Sequence, residues 1–141
     1  MTAPLATACA VTFVWLGMVL AISFLEAPLK FRAPEVTLRI GLGIGRLVFG
    51  ALNTVEAVFA ATLLVCVIIA PAAVWIMASV VVVVAILGVQ LVLVRPWLAR
   101  RTNRILAGTQ APRSGGHHVY VVLETGKCMM LIVSGILLLS T

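Results

Sequence analysis

Residues 57–94 run for 38 positions without a charged side chain, and a single proline, Pro71, divides the run. A bilayer-spanning helix needs roughly 20 apolar residues, so this stretch is too long for one span and fits two. Ala70-Pro71-Ala72 then forms the turn of a tight helical hairpin. The first 25 residues and the last 14 are also uncharged, which confines every Asp, Glu, Lys and Arg to windows 26–56 and 95–127. The alternation between apolar stretches and charged windows predicts an all-α bundle of four transmembrane helices.

Composition agrees with that pattern. Apolar residues make up 63% and charged residues 10%, with a mean hydropathy of +1.24, against roughly 25% charged in a soluble domain. With 141 residues, the chain has room for one integral membrane domain, with spans expected at about 5–27, 47–69, 73–94 and 119–140. Pro28 is expected to end the first span and Arg95-Pro96 the third, because the residue before a proline is pushed out of the helical region. The β-branched run 80–84 would favour a strand in water. In lipid only a helix or a closed barrel satisfies the backbone, and no barrel-like alternation is present. Met1-Thr2-Ala3-Pro4 has no basic region, and the following run is long enough to span, so it reads as a retained helix rather than a signal peptide.

Orientation follows from the basic residues. Lys30, Arg32, Arg39 and Arg46 fall in connection 28–46, and Arg95, Arg100, Arg101, Arg104 and Arg113 in connection 95–118. The positive-inside bias puts both connections in the cytoplasm and both termini outside, in a cell membrane. The same cations attract anionic lipid headgroups. A net charge of +6 and a pI near 10.3 do not indicate a nucleic-acid partner, because the cations flank spans instead of patching a soluble surface. The loop 107–116, rich in turn formers, is expected to be mobile.

The two windows resemble each other. Leu25-Glu26-Ala27-Pro28-Leu29-Lys30-Phe31-Arg32 aligns with Leu93-Val94-Arg95-Pro96-Trp97-Leu98-Ala99-Arg100, and Val48-Phe49-Gly50-Ala51-Leu52-Asn53-Thr54-Val55-Glu56 aligns with Val119-Tyr120-Val121-Val122-Leu123-Glu124-Thr125-Gly126-Lys127. The alignment suggests a 2+2 tandem repeat about an axis along the membrane normal, with chance similarity between apolar helices as the competing explanation. In such a repeat Arg46/His117, Asn53/Glu124 and Glu56/Lys127 lie at equal depths.

Polar residues inside the spans are the candidate site. Glu56 lies about 14 Å along the helix from Leu47, near the middle of a core about 30 Å thick. A charge there costs roughly 2.5 to 3.5 kcal/mol on insertion scales, so it should face the bundle interior and be paired. His117, Tyr120, Glu124 and Lys127 share one side of the fourth helix by their spacing, and Arg46, Gly50, Asn53, Glu56 and Ala60 form a polar and small stripe on the second. Glu56, Asn53, Glu124 and Lys127 are therefore candidate substrate- or ion-binding residues, with Tyr120 on the same face and Arg46 and His117 at the cytoplasmic mouth. Two readings stand side by side. One is a buried carboxylate site for proton or cation exchange or for a polar ligand. The other is a structural Glu56–Lys127 pair, with Asn53 and Glu124 hydrogen-bonded around it, that fixes helix register.

Other motifs carry less. His117 and His118 are the only histidines, and neighbours on one helix point about 100° apart, which disfavours joint ligation of haem or metal. Cys128-Met129-Met130 diverges around its helix in the same way, which argues against Cu(I), and Cys9, Cys66 and Cys128 read as buried apolar residues. Gly41-Leu42-Gly43-Ile44-Gly45-Arg46 lacks the strand and the Lys-Ser/Thr of a phosphate loop and reads as a flexible entry to the second helix. The segment 30–44 is also compatible with a short interfacial helix.

Trp15-Leu16-Gly17, Glu26-Ala27-Pro28-Leu29-Lys30-Phe31-Arg32, Gly45-Arg46-Leu47-Val48-Phe49 and a histidine opening the fourth helix give the chain a resemblance to a family. That family comprises small four-helix bacterial-type integral membrane proteins with a transmembrane domain of unknown function. The resemblance implies the four-helix architecture and supplies no catalytic residues. No catalytic constellation and no cofactor is expected. The sequence points to a small transporter or ion-handling protein, which at this size implies a homo-oligomer. The alternatives are a membrane interaction or assembly subunit with a structural polar cluster and, more weakly, a redox subunit holding haem or quinone through His117 or His118.

Overall fold

The computed structural model describes residues 1–108 and 116–141, with side chains described for all of these except Gly116 and His117. The expected loop 107–116 and Arg113 therefore fall largely outside the described residues. Four helices make up the fold: α1 Ala3–Lys30, α2 Leu38–Ile69, α3 Val74–Leu106 and α4 Gly116–Leu139, with no strand among the described residues. Each is long and apolar enough to cross a bilayer, so the chain is a multi-pass, all-α membrane protein.

Neither proline ends its helix, contrary to the sequence expectation. A proline ring clashes with the carbonyl four residues back and removes one N–H. Both helices accommodate this by widening to π-helix just before the ring, over Leu20–Glu26 in α1 and Gln90–Val94 in α3. The residue before each proline donates five residues back: Ala27 N–H to the Ile22 carbonyl and Arg95 N–H to the Gln90 carbonyl. The wide turn relieves the clash, and each helix continues, to Lys30 and Leu106. The same device thus recurs at the two positions that the internal alignment pairs.

Helix α2 begins at Leu38, nine residues before the apolar count places it. Thr37 holds an extended backbone and its hydroxyl accepts from Ile40 N–H at 3.3 Å, an N-cap that satisfies an otherwise orphaned donor. The glycine-rich segment is thereby ordinary helix, neither a flexible entry nor an interfacial helix. Its glycines allow close approach. The Phe31 ring sits where a Gly41 side chain would be, and a Cβ on Gly45 would lie 3.0 Å from Lys30 Nζ.

The helices form a ring in which α1 and α3 each pack against α2 and α4. Connection 31–37, the end of α3 and the start of α4 lie at one end, here called the charged end, and both termini and the Pro71 turn lie at the other. Toward that other end the core is tightly packed and largely apolar: Leu63, Ile76, Val80, Val83, Leu131 and Leu138 are fully buried. Gly135 admits the Phe13 ring, whose nearest atom would be 2.7 Å from an added Cβ. Leu47, Ile68, Val74 and Val92 point outward, as a lipid-facing surface requires. Helices α2 and α3, at 32 and 33 residues, are roughly 48 to 50 Å long against a core of about 30 Å. The surplus carries the arginines of the charged end.

Candidate functional site

All four helices contribute to a single buried polar hub of five side chains, two of them from α4. Trp15 from α1, Glu56 from α2, Gln90 from α3, and Glu124 and Lys127 from α4 are each at most 2% exposed. Counting from the uncharged end, these residues lie about 18 to 24 Å along their helices. That is past the middle of a core about 30 Å thick, toward the charged end.

The hub is continuous. Glu56 Oε1 accepts from Trp15 Nε1 at 2.9 Å and also from Lys127 Nζ, its ion-pair partner. Lys127 Nζ donates to Gln90 Oε1 at 2.9 Å and lies 3.0 Å from Glu124 Oε1. Gln90 Nε2 in turn donates to Glu124 Oε2 at 2.7 Å. Gln90 thus uses both ends of its amide, bridging the ammonium and a carboxylate. The hub holds two carboxylates against one ammonium, and it would carry one uncompensated negative charge with all three ionised. Glu56 Oε2 has no donor among the described residues. A buried charge or acceptor left without a partner costs several kcal/mol, so one further positive charge would balance the hub.

Glu124 also belongs to a second feature. A cavity of about 460 Å³ occupies the charged half of the bundle and has Glu124 in its wall. Its other walls come from all four helices and the turn after α1: Ser23 on α1, Phe31 just beyond it, Arg46 and Phe49 on α2, Arg95 and Arg101 on α3, and Tyr120 on α4. Arg95 is fixed by donating from Nη1 to the Phe49 carbonyl at 2.8 Å, and Tyr120 packs edge-on against Phe49 with ring centroids 5.8 Å apart. Lys30 pairs with Glu26 at 3.5 Å and lies over the Phe49 ring, a contact that exists only because α1 continues past Pro28.

The expected site residues are therefore divided. Glu56, Glu124 and Lys127 meet in the hub. Asn53 is buried one turn away, but its Nδ2 finds no acceptor among the described residues, so the expected hydrogen bond from Asn53 into the pair is not made. Arg46 is exposed and lines the cavity, as does the half-buried Tyr120. The His117 side chain lies outside the described residues, and His118 is exposed at the start of α4. Cys128 is buried, Met129 exposed and Met130 half-buried, diverging as their spacing requires.

Gln90 and Trp15 are the hub residues that charge counting misses. A signal for Gln90 existed, since it is the only Gln or Asn in residues 57–94. Trp15 offered none, because an indole in an apolar helix is ordinary packing until an acceptor faces it. No protein-family model, no curated protein and no solved structure matches this chain.

Proposed function

We propose that this chain is a small ion-handling membrane transporter in which the Glu56–Lys127–Glu124 hub exchanges a proton or small cation with one side of the membrane. The observation that carries the reading is the double position of Glu124, whose carboxylate is tied into the hub through Gln90 and Lys127 and also lines the cavity. A structural ion pair needs neither a second carboxylate nor a cavity beside it. The surplus acidic oxygen, Glu56 Oε2, and the unpartnered Asn53 Nδ2 are an acceptor and a donor three residues apart on α2. A shared water would satisfy both and would be the first station beyond the hub. Between the hub and the uncharged end stands the packed, largely apolar core. The proposed state is therefore open at the charged end and closed at the other. The positive-inside bias makes the charged end cytoplasmic, in a cell membrane, with anionic headgroups at its arginines. Alternating access in so small a bundle calls for a homo-oligomer.

A second reading has an observation of its own: every helix is tied to another through the hub's hydrogen bonds, which is what a device for fixing register in an assembly subunit would look like. Reconstitution separates the two. In liposomes enclosing a pH-sensitive dye and held at a potassium diffusion potential, the wild-type chain should carry a proton flux that Glu56→Gln and Glu124→Gln each reduce to the protein-free level. Equal fluxes from wild type and both variants would leave only the structural reading.

A further inference from the structure

The cavity at the charged end has a chemistry that proton or cation exchange at the hub does not use. Among the described residues four cationic side chains line it, Lys30, Arg46, Arg95 and Arg101. Lys30 is spent on Glu26. The three arginines have no carboxylate within ion-pair distance among the described residues, where the ion pairs are Lys30–Glu26, Lys127–Glu56 and Lys127–Glu124. Two buried polar atoms of the lining residues, Arg101 Nε and Ser23 Oγ, have no hydrogen-bond partner among the described residues. Buried donors are rarely left unpaired. Thr102, Tyr120 and the Glu124 carboxylate also line it, and the remaining described wall is apolar, including Phe24, Phe31, Leu42, Phe49 and Leu98.

We infer that this cavity is a binding site for an amphiphilic organic anion, a molecule with a carboxylate or phosphate head and an apolar body. The guanidinium fork matches a two-oxygen head, and the head would supply the acceptors that Arg101 and Ser23 lack. A cation is disfavoured because three arginines face one carboxylate, Glu124, whose oxygens are already engaged by Lys127 and Gln90. A bare inorganic anion would leave the aromatic and aliphatic walls facing water. At about 460 Å³ the space lies in the range of small-molecule sites, which are mostly apolar with a few placed polar groups. The head can come from a membrane lipid or from a soluble anion. The inference goes beyond proton or cation exchange at the hub and does not depend on it.

The test uses the full chain in phosphatidylcholine nanodiscs, with thermal unfolding as the readout and octanoate, octanol and inorganic phosphate as probes. Octanoate should raise the unfolding temperature saturably, while octanol and phosphate should not. Arg101→Gln should weaken the octanoate response by about ten-fold or more, the loss of a charged hydrogen bond. Leu98→Trp, which fills the cavity but keeps every arginine, should abolish the response, with folding of both variants checked by circular dichroism. A second arm adds phosphatidylglycerol to the nanodiscs. If it stabilises the chain and blocks octanoate, the ligand is a lipid, and if octanoate still binds, the ligand is soluble. An octanoate response matched by octanol, or unchanged in both variants, would overturn the inference. So would the absence of any response to octanoate and phosphatidylglycerol. Because no gradient is applied, loss of octanoate binding with proton flux intact removes this site and leaves the hub reading standing.

Discussion

Glu56 accepts from an indole and an ammonium at one oxygen and leaves the other without a donor, so the balance of the hub rests on Lys127. Removing that ammonium leaves two buried carboxylates with only Gln90 and Trp15 to stabilise them. Lys127→Met should therefore cost about 3 to 5 kcal/mol, the usual loss when one partner of a buried pair is deleted. Adding Glu56→Gln should restore part of it, because the amide needs no counter-charge. Denaturant titration in detergent checks both values, and additive losses in the double variant would mean that the two residues do not interact. At this scale the charged members of the hub were legible in the sequence, since a charge deep in a span is costly and stands out. Gln90 and Trp15 were not read, because neutral polar groups reveal themselves only when a partner is placed opposite them.

Helix ends were the least legible elements. An apolar count marks where lipid covers a helix, whereas the ends depend on a Thr37 cap and on two π-helical turns that absorb Pro28 and Pro96. These extensions carry Lys30, Arg95 and Arg101 into the cavity wall. The hairpin at Pro71 and the four-helix count were legible, because residues 57–94 admit no other arrangement in lipid. Glycines give a prediction at this scale. Gly17 has open space around it and Gly135 has the Phe13 ring against it. Gly17→Ala should be neutral or stabilising by up to about 1 kcal/mol from helix propensity. Gly135→Ala should destabilise by about 1 to 3 kcal/mol through overpacking. Thermal unfolding of the two variants in one detergent tests the contrast, and equal effects would contradict the packing of α1 on α4.

For the whole molecule, the bundle places connection 31–37, the end of α3 and the start of α4 at one end and the Pro71 turn at the other. With Cys9, Cys66 and Cys128 replaced, a membrane-impermeant maleimide added to intact spheroplasts should label Pro71→Cys but neither Arg39→Cys nor Arg100→Cys. The opposite pattern would reverse the proposed orientation. The cavity could not be read from sequence at all, since it exists only where the ends of four helices meet, and its position beside Glu124 is what gives the hub an access side. That access is the central claim, and infrared difference spectroscopy of the full chain in liposomes measures it most directly. A carboxylate band that is lost in Glu124→Gln should shift at once when water is replaced by D2O, as the hydrogen-bond donors around it exchange. A hub that never shows such a band, or shows one that deuterium does not reach, would contradict the account.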